Sequence, residues 1–374
     1  MKIGIITLPL HTNYGGIMQA YSLQTILEKM GHEVVVYQKI NKPLTGLPIW
    51  KYPLAIGKQL LKNRLSLLAV LNKKKAMSII TQRIDRFIED NINTCVVKDL
   101  RKIPLYNVDA IIVGSDQIWR PQYVKRMWKT NIQNVFMKFA PGWQGKRIAY
   151  AVSFGVDHWE FSDKETEECR ELVKLFDAVS VREESGIKLC HKYLNIMPTM
   201  VLDPTLLLQS SDYIKLFKTG NTPKNKGLLF CYILDRTPEK MNYVHKFSVE
   251  NKLKLSIIEP TDMDKEAPLE DLIIPSVEKW IRSFYDAEFV ITDSFHGCVF
   301  SIIFNKKFIA IGNPERGLSR FISLLSELGM ENNLVTDLNH IDIMRTEDKL
   351  IDYSQKLSLL RNNSIRFLNN CLKQ

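Results

Sequence analysis

Glu288-Phe289-Val290-Ile291-Thr292 runs into Asp293-Ser294-Phe295-His296-Gly297 and then into Cys298-Val299-Phe300-Ser301-Ile302-Ile303-Phe304. Two apolar runs around a short polar cluster with a Gly predict a buried strand, a tight turn and a helix. The polar cluster then falls at the C-terminal end of a strand and the N-terminal end of a helix. Open α/β sheets bind ligands there, because free backbone N–H groups and the positive end of the helix dipole favour an anion. His296 at that spot has two readings: a group that moves a proton near neutral pH, or a core histidine bonded to backbone.

The same alternation recurs along the chain. Residues 2–8, 33–37, 109–113, 147–153, 178–181 and 200–202 read as strands, with helices over 17–30, 163–175 and after Arg182-Glu183-Glu184-Ser185. Residues 47–92 read as helical. A polar, Gly/Pro-bearing break at 218–227 precedes a second set of strands at 228–234, 255–258, 288–292 and 307–311. Strands that keep giving way to helices predict largely parallel sheets. The expected organisation is a Rossmann-like domain over 1–215 with a helical insertion at about 41–92, a second over 226–344, and helices over 345–374 crossing back to the first. No G-x-G-x-x-G occurs; Asn13-Tyr14-Gly15-Gly16 reads as the turn where a ligand approaches backbone.

With 374 residues, 45% hydrophobic and 25% charged, the composition is that of a globular protein. No run approaches about 20 apolar residues, and the first apolar run, 3–8, is too short for a signal-peptide core. Six cysteines without a C-x-x-C pair read as free thiols in a reducing cytoplasm. Residues 34–84 hold ten basic residues and no Asp or Glu, which accounts for the whole net charge of +10. Trp50, Lys58, Lys62, Arg64, Lys73, Lys74 and Lys75 lie there among Leu, Tyr and Trp, a pattern suited to an anionic membrane surface. An ordinary helix pair with a solvated basic face is the other reading. No nucleic-acid-binding motif is present.

The segment 292–313 (TDSFHGCVFSIIFNKKFIAIGN) resembles the polysaccharide pyruvyltransferase family, in which a His-Gly closes a strand of the C-terminal domain. HTNYGGIMQAYSLQTIL (11–27), YNVDAIIVGSDQIWRP (106–121), AYAVSFG (149–155), VSVREESG (179–186) and VLDPTLLL (201–208) agree in order and spacing. The resemblance covers most of residues 1–330. It implies an α/β fold of two Rossmann-like domains facing a cleft, as in the B-type glycosyltransferases. The implied activity moves an enolpyruvyl group from phosphoenolpyruvate to two hydroxyls of a sugar, forming a cyclic ketal and releasing phosphate.

That chemistry needs cations for the donor phosphate and carboxylate, a general acid for its methylene carbon and a base for the hydroxyls. His296 is the candidate acid. Asp116, after Gly114-Ser115 at a strand end, is the candidate base or a local cap. The family pattern places an Arg two residues before the His, as Arg-Leu-His-Gly, where this chain has Ser294. Donor contacts are then expected from Ser294, Gly297, Gly15, Gly16, Arg182, Arg316 and Arg320. Arg182 also reads as a structural pair with Glu183 or Asp203. The acceptor side is assigned to Asn13, Tyr14, Trp119 and Ser153, with Trp119 either stacking on a sugar or packed in the core. No organic cofactor and no metal are expected, phosphoenolpyruvate being a co-substrate.

Lipid contact by the basic window would make the acceptor a lipid-linked precursor of a cell-surface polysaccharide (capsule or exopolysaccharide) at the cytoplasmic face. Two other readings share the same cleft: a nucleotide-sugar glycosyltransferase, and a non-catalytic saccharide-binding assembly protein.

Overall fold

The structure is a computed structural model that describes residues 1–39, 67–217, 227–258, 272–312, 317–338 and 352–373, with side chains of the second stretch from residue 76 onward. In the N-terminal half, β1 (Lys2–Ile6), α1 (Tyr14–Lys29), β2 (Glu33–Gln38), α2 (Leu67–Asn91) and β3 (Thr94–Val96) come first. They are followed by β4 (Ala110–Asp116), β5 (Lys146–Val152), α3 (Asp163–Val173), β6 (Ala178–Val181), α4 (Glu184–Leu189) and β7 (Thr199–Met200). The seven strands pair in the order β3-β2-β1-β4-β5-β6-β7, every pair parallel.

The C-terminal half begins with β8 (Leu228–Tyr232), α5 (Pro238–Glu250), β9 (Lys254–Ile257) and α6 (Val277–Asp286). It continues with β10 (Phe289–Thr292), α7 (Phe295–Ile303), β11 (Lys307–Ile311), α8 (Leu318–Leu328) and β12 (Leu334–Val335). Its parallel order is β12-β11-β10-β8-β9. Central strands of parallel sheets are covered on both faces, which is why they read as unbroken apolar runs: all seven residues of β4 and all four of β10 are buried.

Strand order reverses between β1 and β4 in the first sheet and between β8 and β10 in the second. Crevices beyond the carboxyl ends of strands open at such points. Asp116 ends β4 and His296 follows β10, so the two reversals supply the two sides of one site.

Several contacts tie the halves together. Tyr14 donates its hydroxyl to the Pro275 carbonyl (2.6 Å) and stacks on Trp280 at 5.2 Å between centroids. The Glu184 amide donates to Ser323 Oγ (2.9 Å). Helix α9 (Ser354–Leu372) touches both: the preceding Tyr353 donates to the Ile302 carbonyl (2.7 Å), while Arg361 donates to the Leu206 carbonyl (2.7 Å). In α2, Ile80, Ile84 and Phe87 recur at helical spacing and are buried in the core. The described end of this helix is therefore a core helix.

Two details differ from the sequence reading. The edge strands β3 and β12 are too short to carry a recognisable pattern. Helix α1 starts at Tyr14, three residues before the expected Ile17, so Gly15 and Gly16 form its first turn rather than a loop.

Candidate active site

Helix α7 delivers the site's histidine. Ser294 is its N-cap, accepting the Gly297 amide on Oγ (3.4 Å), and Gly297 is bare because a Cβ there would stand 2.1 Å from Thr292 Oγ1. Both residues expected to touch the donor thus have local work in seating α7 on β10. His296, one residue into the helix, is buried. Its ring reaches across to α1, where a Cβ on Gly15 would stand 2.1 Å from Nδ1. Gly15 is glycine for that reason, which the turn reading did not foresee.

On the far side of the ring, Nε2 faces Asp203 Oδ2 at 3.8 Å and has no hydrogen-bond partner among the described residues. Asp203 follows β7 and caps the Pro204-Thr205 turn, its Oδ1 accepting from the Thr205 amide (3.0 Å) and hydroxyl (2.6 Å). Its Oδ2 accepts from Ser115 Oγ (3.3 Å) and from Arg182 Nη1.

Arg182, at the end of β6, is the centre of a buried ionic cluster. Nη2 donates to Asp116 Oδ1 (2.9 Å), Nη1 to Asp203, and Nε stands 3.8 Å from Glu183 Oε2. Both terminal nitrogens are thus engaged by carboxylates, and the pair with Asp203 is the one that the structural reading of Arg182 named. Asp116 adopts φ 63°, a left-handed conformation that Asp tolerates, with its carboxylate on Arg182. Phe295 packs beneath two guanidiniums, its ring centroid 4.9 Å from Arg182 Cζ and 5.3 Å from Arg320 Cζ. Arg320, from α8, is buried beside Arg182.

The charges shape one another. Burial disfavours the anions of Asp116 and Asp203, but Arg182 and His296 outweigh it and hold both carboxyls below the usual range. Burial pushes the Glu183 carboxyl up despite Arg182. Burial likewise lowers His296 against the pull of Asp203 and Asp116, so the ligand-free imidazole is neutral at pH 7. Arg320 is brought down to about 10 by burial and by Arg182.

Of the expected residues, His296, Asp116, Arg182, Arg320 and Gly15 meet here. Trp119 and Ser153 do not present themselves to a ligand. Trp119 is fully buried and stacks on Phe136 at 4.4 Å, so no face is left for a sugar; the buried Ser153 Oγ accepts the Gly155 amide (3.0 Å) and bonds the Glu183 carboxylate. Tyr14 is buried at the seam between the halves, Asn13 is an exposed helix-capping position, and Gly16 packs against Asn13. Arg316, Trp50, Lys58, Lys62 and Arg64, with the side chains of Lys73, Lys74 and Lys75, lie outside the described residues. Asp203 and Glu183, read from the sequence only as structural partners for Arg182, and Phe295, which was not singled out, also belong to the site. The sequence signal was the Asp203-Pro204-Thr205 strand end. Among the described residues, no group of three His, Cys, Asp or Glu is placed to hold a metal ion, and no helix is long and apolar enough to cross a membrane.

Comparison with known proteins accords with this geometry. No curated protein matches the sequence significantly. The crystal structure of Arabidopsis thaliana UGT89C1 complexed with UDP-L-rhamnose is similar at 11% identity, covering 99% of this chain and 97% of that one, with a TM-score of 0.51. UDP-N-acetylglucosamine 2-epimerase from Rickettsia bellii is similar at 12% identity over 99% of this chain and 96% of its own, with a TM-score of 0.40. At such identities the first likeness shows the fold alone: two facing Rossmann-like α/β halves, as in B-type glycosyltransferases. The polysaccharide pyruvyl transferase family model matches residues 13–315, and the chain belongs to that family.

Proposed function

We propose that the protein transfers an enolpyruvyl group from phosphoenolpyruvate to a saccharide of a cell-surface polysaccharide precursor, closing a cyclic ketal and releasing phosphate. The observation that carries this reading is the buried His296, whose Nε2 has no hydrogen-bond partner among the described residues, set between two helix N-termini and beside Arg182 and Arg320. Such a place suits a small, doubly anionic donor.

In this scheme His296 protonates the methylene carbon as a sugar hydroxyl adds to the neighbouring carbon. The hydroxyl proton passes to Asp116. The second hydroxyl then displaces phosphate from that carbon, its proton leaving with the phosphate, and the ketal closes. Arg320 and the amides of α1 near Gly15 and Gly16 take the donor's anionic groups, and Arg182 joins them by releasing a carboxylate. The scheme uses no metal and no organic cofactor. The basic window at residues 34–84 would hold the enzyme on the anionic inner face of a membrane, which favours a lipid-linked acceptor.

The test is phosphate release from phosphoenolpyruvate, followed by 31P NMR with membrane saccharide extracts as acceptor. Acceptor-dependent release that disappears in His296→Ala supports the reading. Release that persists in that variant removes His296 from the chemistry.

A further inference from the structure

His296 and Asp203 are adjacent yet not bonded. The imidazole is buried, its Nε2 is unpartnered among the described residues, and Asp203 Oδ2 stands 3.8 Å away. The same Oδ2 is occupied by Arg182 Nη1 and Ser115 Oγ. Arg182 has no slack of its own, since its other terminal nitrogen is on Asp116. A carboxylate therefore lies within reach of the histidine while its charge is spent on an arginine.

The groups facing His296 come from every neighbouring element. Asp203 comes from the turn after β7, Asp116 from the end of β4, Arg182 from the end of β6, and Arg320 from α8, while α1 contributes the uncharged Gly15. The carboxylates favour a proton on the ring; the guanidiniums and burial oppose it. An anionic ligand that draws Arg182 toward itself changes two of these influences at once. It removes a cation from the histidine's surroundings, and it frees Asp203 Oδ2 for Nε2.

We propose that Asp203 is a positioning residue that passes its negative charge from Arg182 to His296 when the donor anion binds, so that the imidazole takes up its proton only in the loaded site. The proton comes from solvent on binding and leaves on the donor's methylene carbon, which restores neutral His296 for the next cycle. An acid that stays uncharged until the donor binds avoids leaving an unpaired buried cation there. The proposal rests on the reading of His296 as the acid that serves an anionic donor.

The experiment is an NMR titration of the full-length protein labelled in histidine, following His296 with and without inorganic phosphate or phosphoenolpyruvate. Either anion is expected to raise the ring's proton affinity by at least about tenfold, the scale for an opposite charge brought close. In Asp203→Asn most of that rise should vanish, and Asp203→Glu should restore part of it. Arg182→Gln provides a second route should Asp203→Asn not fold: His296 should already be charged without anion, and phosphate should add little. An equal rise in Asp203→Asn, an undiminished rise in Arg182→Gln, or no rise in the wild type overturns the inference. Phosphoenolpyruvate turnover is measured on the same samples. Turnover without a change at His296 defeats this inference alone, whereas absence of both binding and turnover defeats the functional reading beneath it.

Discussion

Gly15 and His296, on helices from opposite halves of the molecule, approach so closely that a Cβ on Gly15 would stand 2.1 Å from His296 Nδ1. Backbone of α1 thus serves as a wall for the ring, and the two halves are registered against each other through His296. Gly15→Ala must displace the imidazole or push the helices apart. Displacements of about 1 Å at a catalytic group cost on the order of 100-fold in rate. The predicted outcome is such a loss of turnover with circular dichroism unchanged; wild-type activity in Gly15→Ala would show that the ring is free to move.

Arg182 neutralises carboxylates that have no solvent to turn to. Its side chain is 1% exposed and those of Asp116, Asp203 and Glu183 are 6%, 1% and 0% exposed. Arg182→Met leaves them buried and uncompensated, a change that costs about 3–5 kcal/mol. Urea unfolding should show this loss at pH 7 and a smaller one at pH 5, where carboxyls raised by loss of the arginine accept protons. A loss that is equal at both pH values would mean that packing, not charge, is what Arg182 supplies.

Acid should destabilise the fold in a defined direction. His296, Asp116 and Asp203 all titrate lower in the folded chain than in the unfolded one, so the folded state holds fewer protons. Stability is then full above the unfolded histidine value of 6.5 and declines as pH falls through it, with the carboxylates adding their share lower down. His296→Gln should flatten the upper part of that decline, by up to one proton or about 1.4 kcal/mol per pH unit. Thermal melts between pH 7.5 and 5 check this; identical slopes in both proteins would contradict it.

Trp119 is predicted to matter for stability and not for the acceptor. It is fully buried between Phe136 and Phe154, with centroids at 4.4 and 5.5 Å. Trp119→Ala should cost about 3–5 kcal/mol, the usual scale for emptying such a site. Trp119→Phe, if folded, should keep the acceptor KM within about twofold, since the ring that a sugar would need is not offered. A selective rise in KM would return the residue to the binding surface.

The strand-turn-helix around His296 was legible because each of its parts has a local signature: an apolar strand, a capping Ser, a Gly at a tight helix–strand contact. Asp116 and Arg182 were legible for the same reason, as polar residues closing apolar strands. Asp203 was legible only as a pair for Arg182, which the structure shows; its place beside Ser115 and His296 was not, because these converge from distant parts of the chain. An Asp-Pro-Thr strand end by itself reads as a turn. Trp119 shows the converse: the sequence places it beside a strand end, but only packing decides which way its ring faces.

The most direct test of the account is binding of phosphoenolpyruvate to the purified full-length protein by thermal shift, with UDP-sugars in parallel. A ligand at 100 times its dissociation constant stabilises by about 2.7 kcal/mol. Phosphoenolpyruvate is expected to stabilise the protein, UDP-sugars are not, and Arg320→Ala is expected to lose the stabilisation. Stabilisation by a UDP-sugar with none from phosphoenolpyruvate would contradict it.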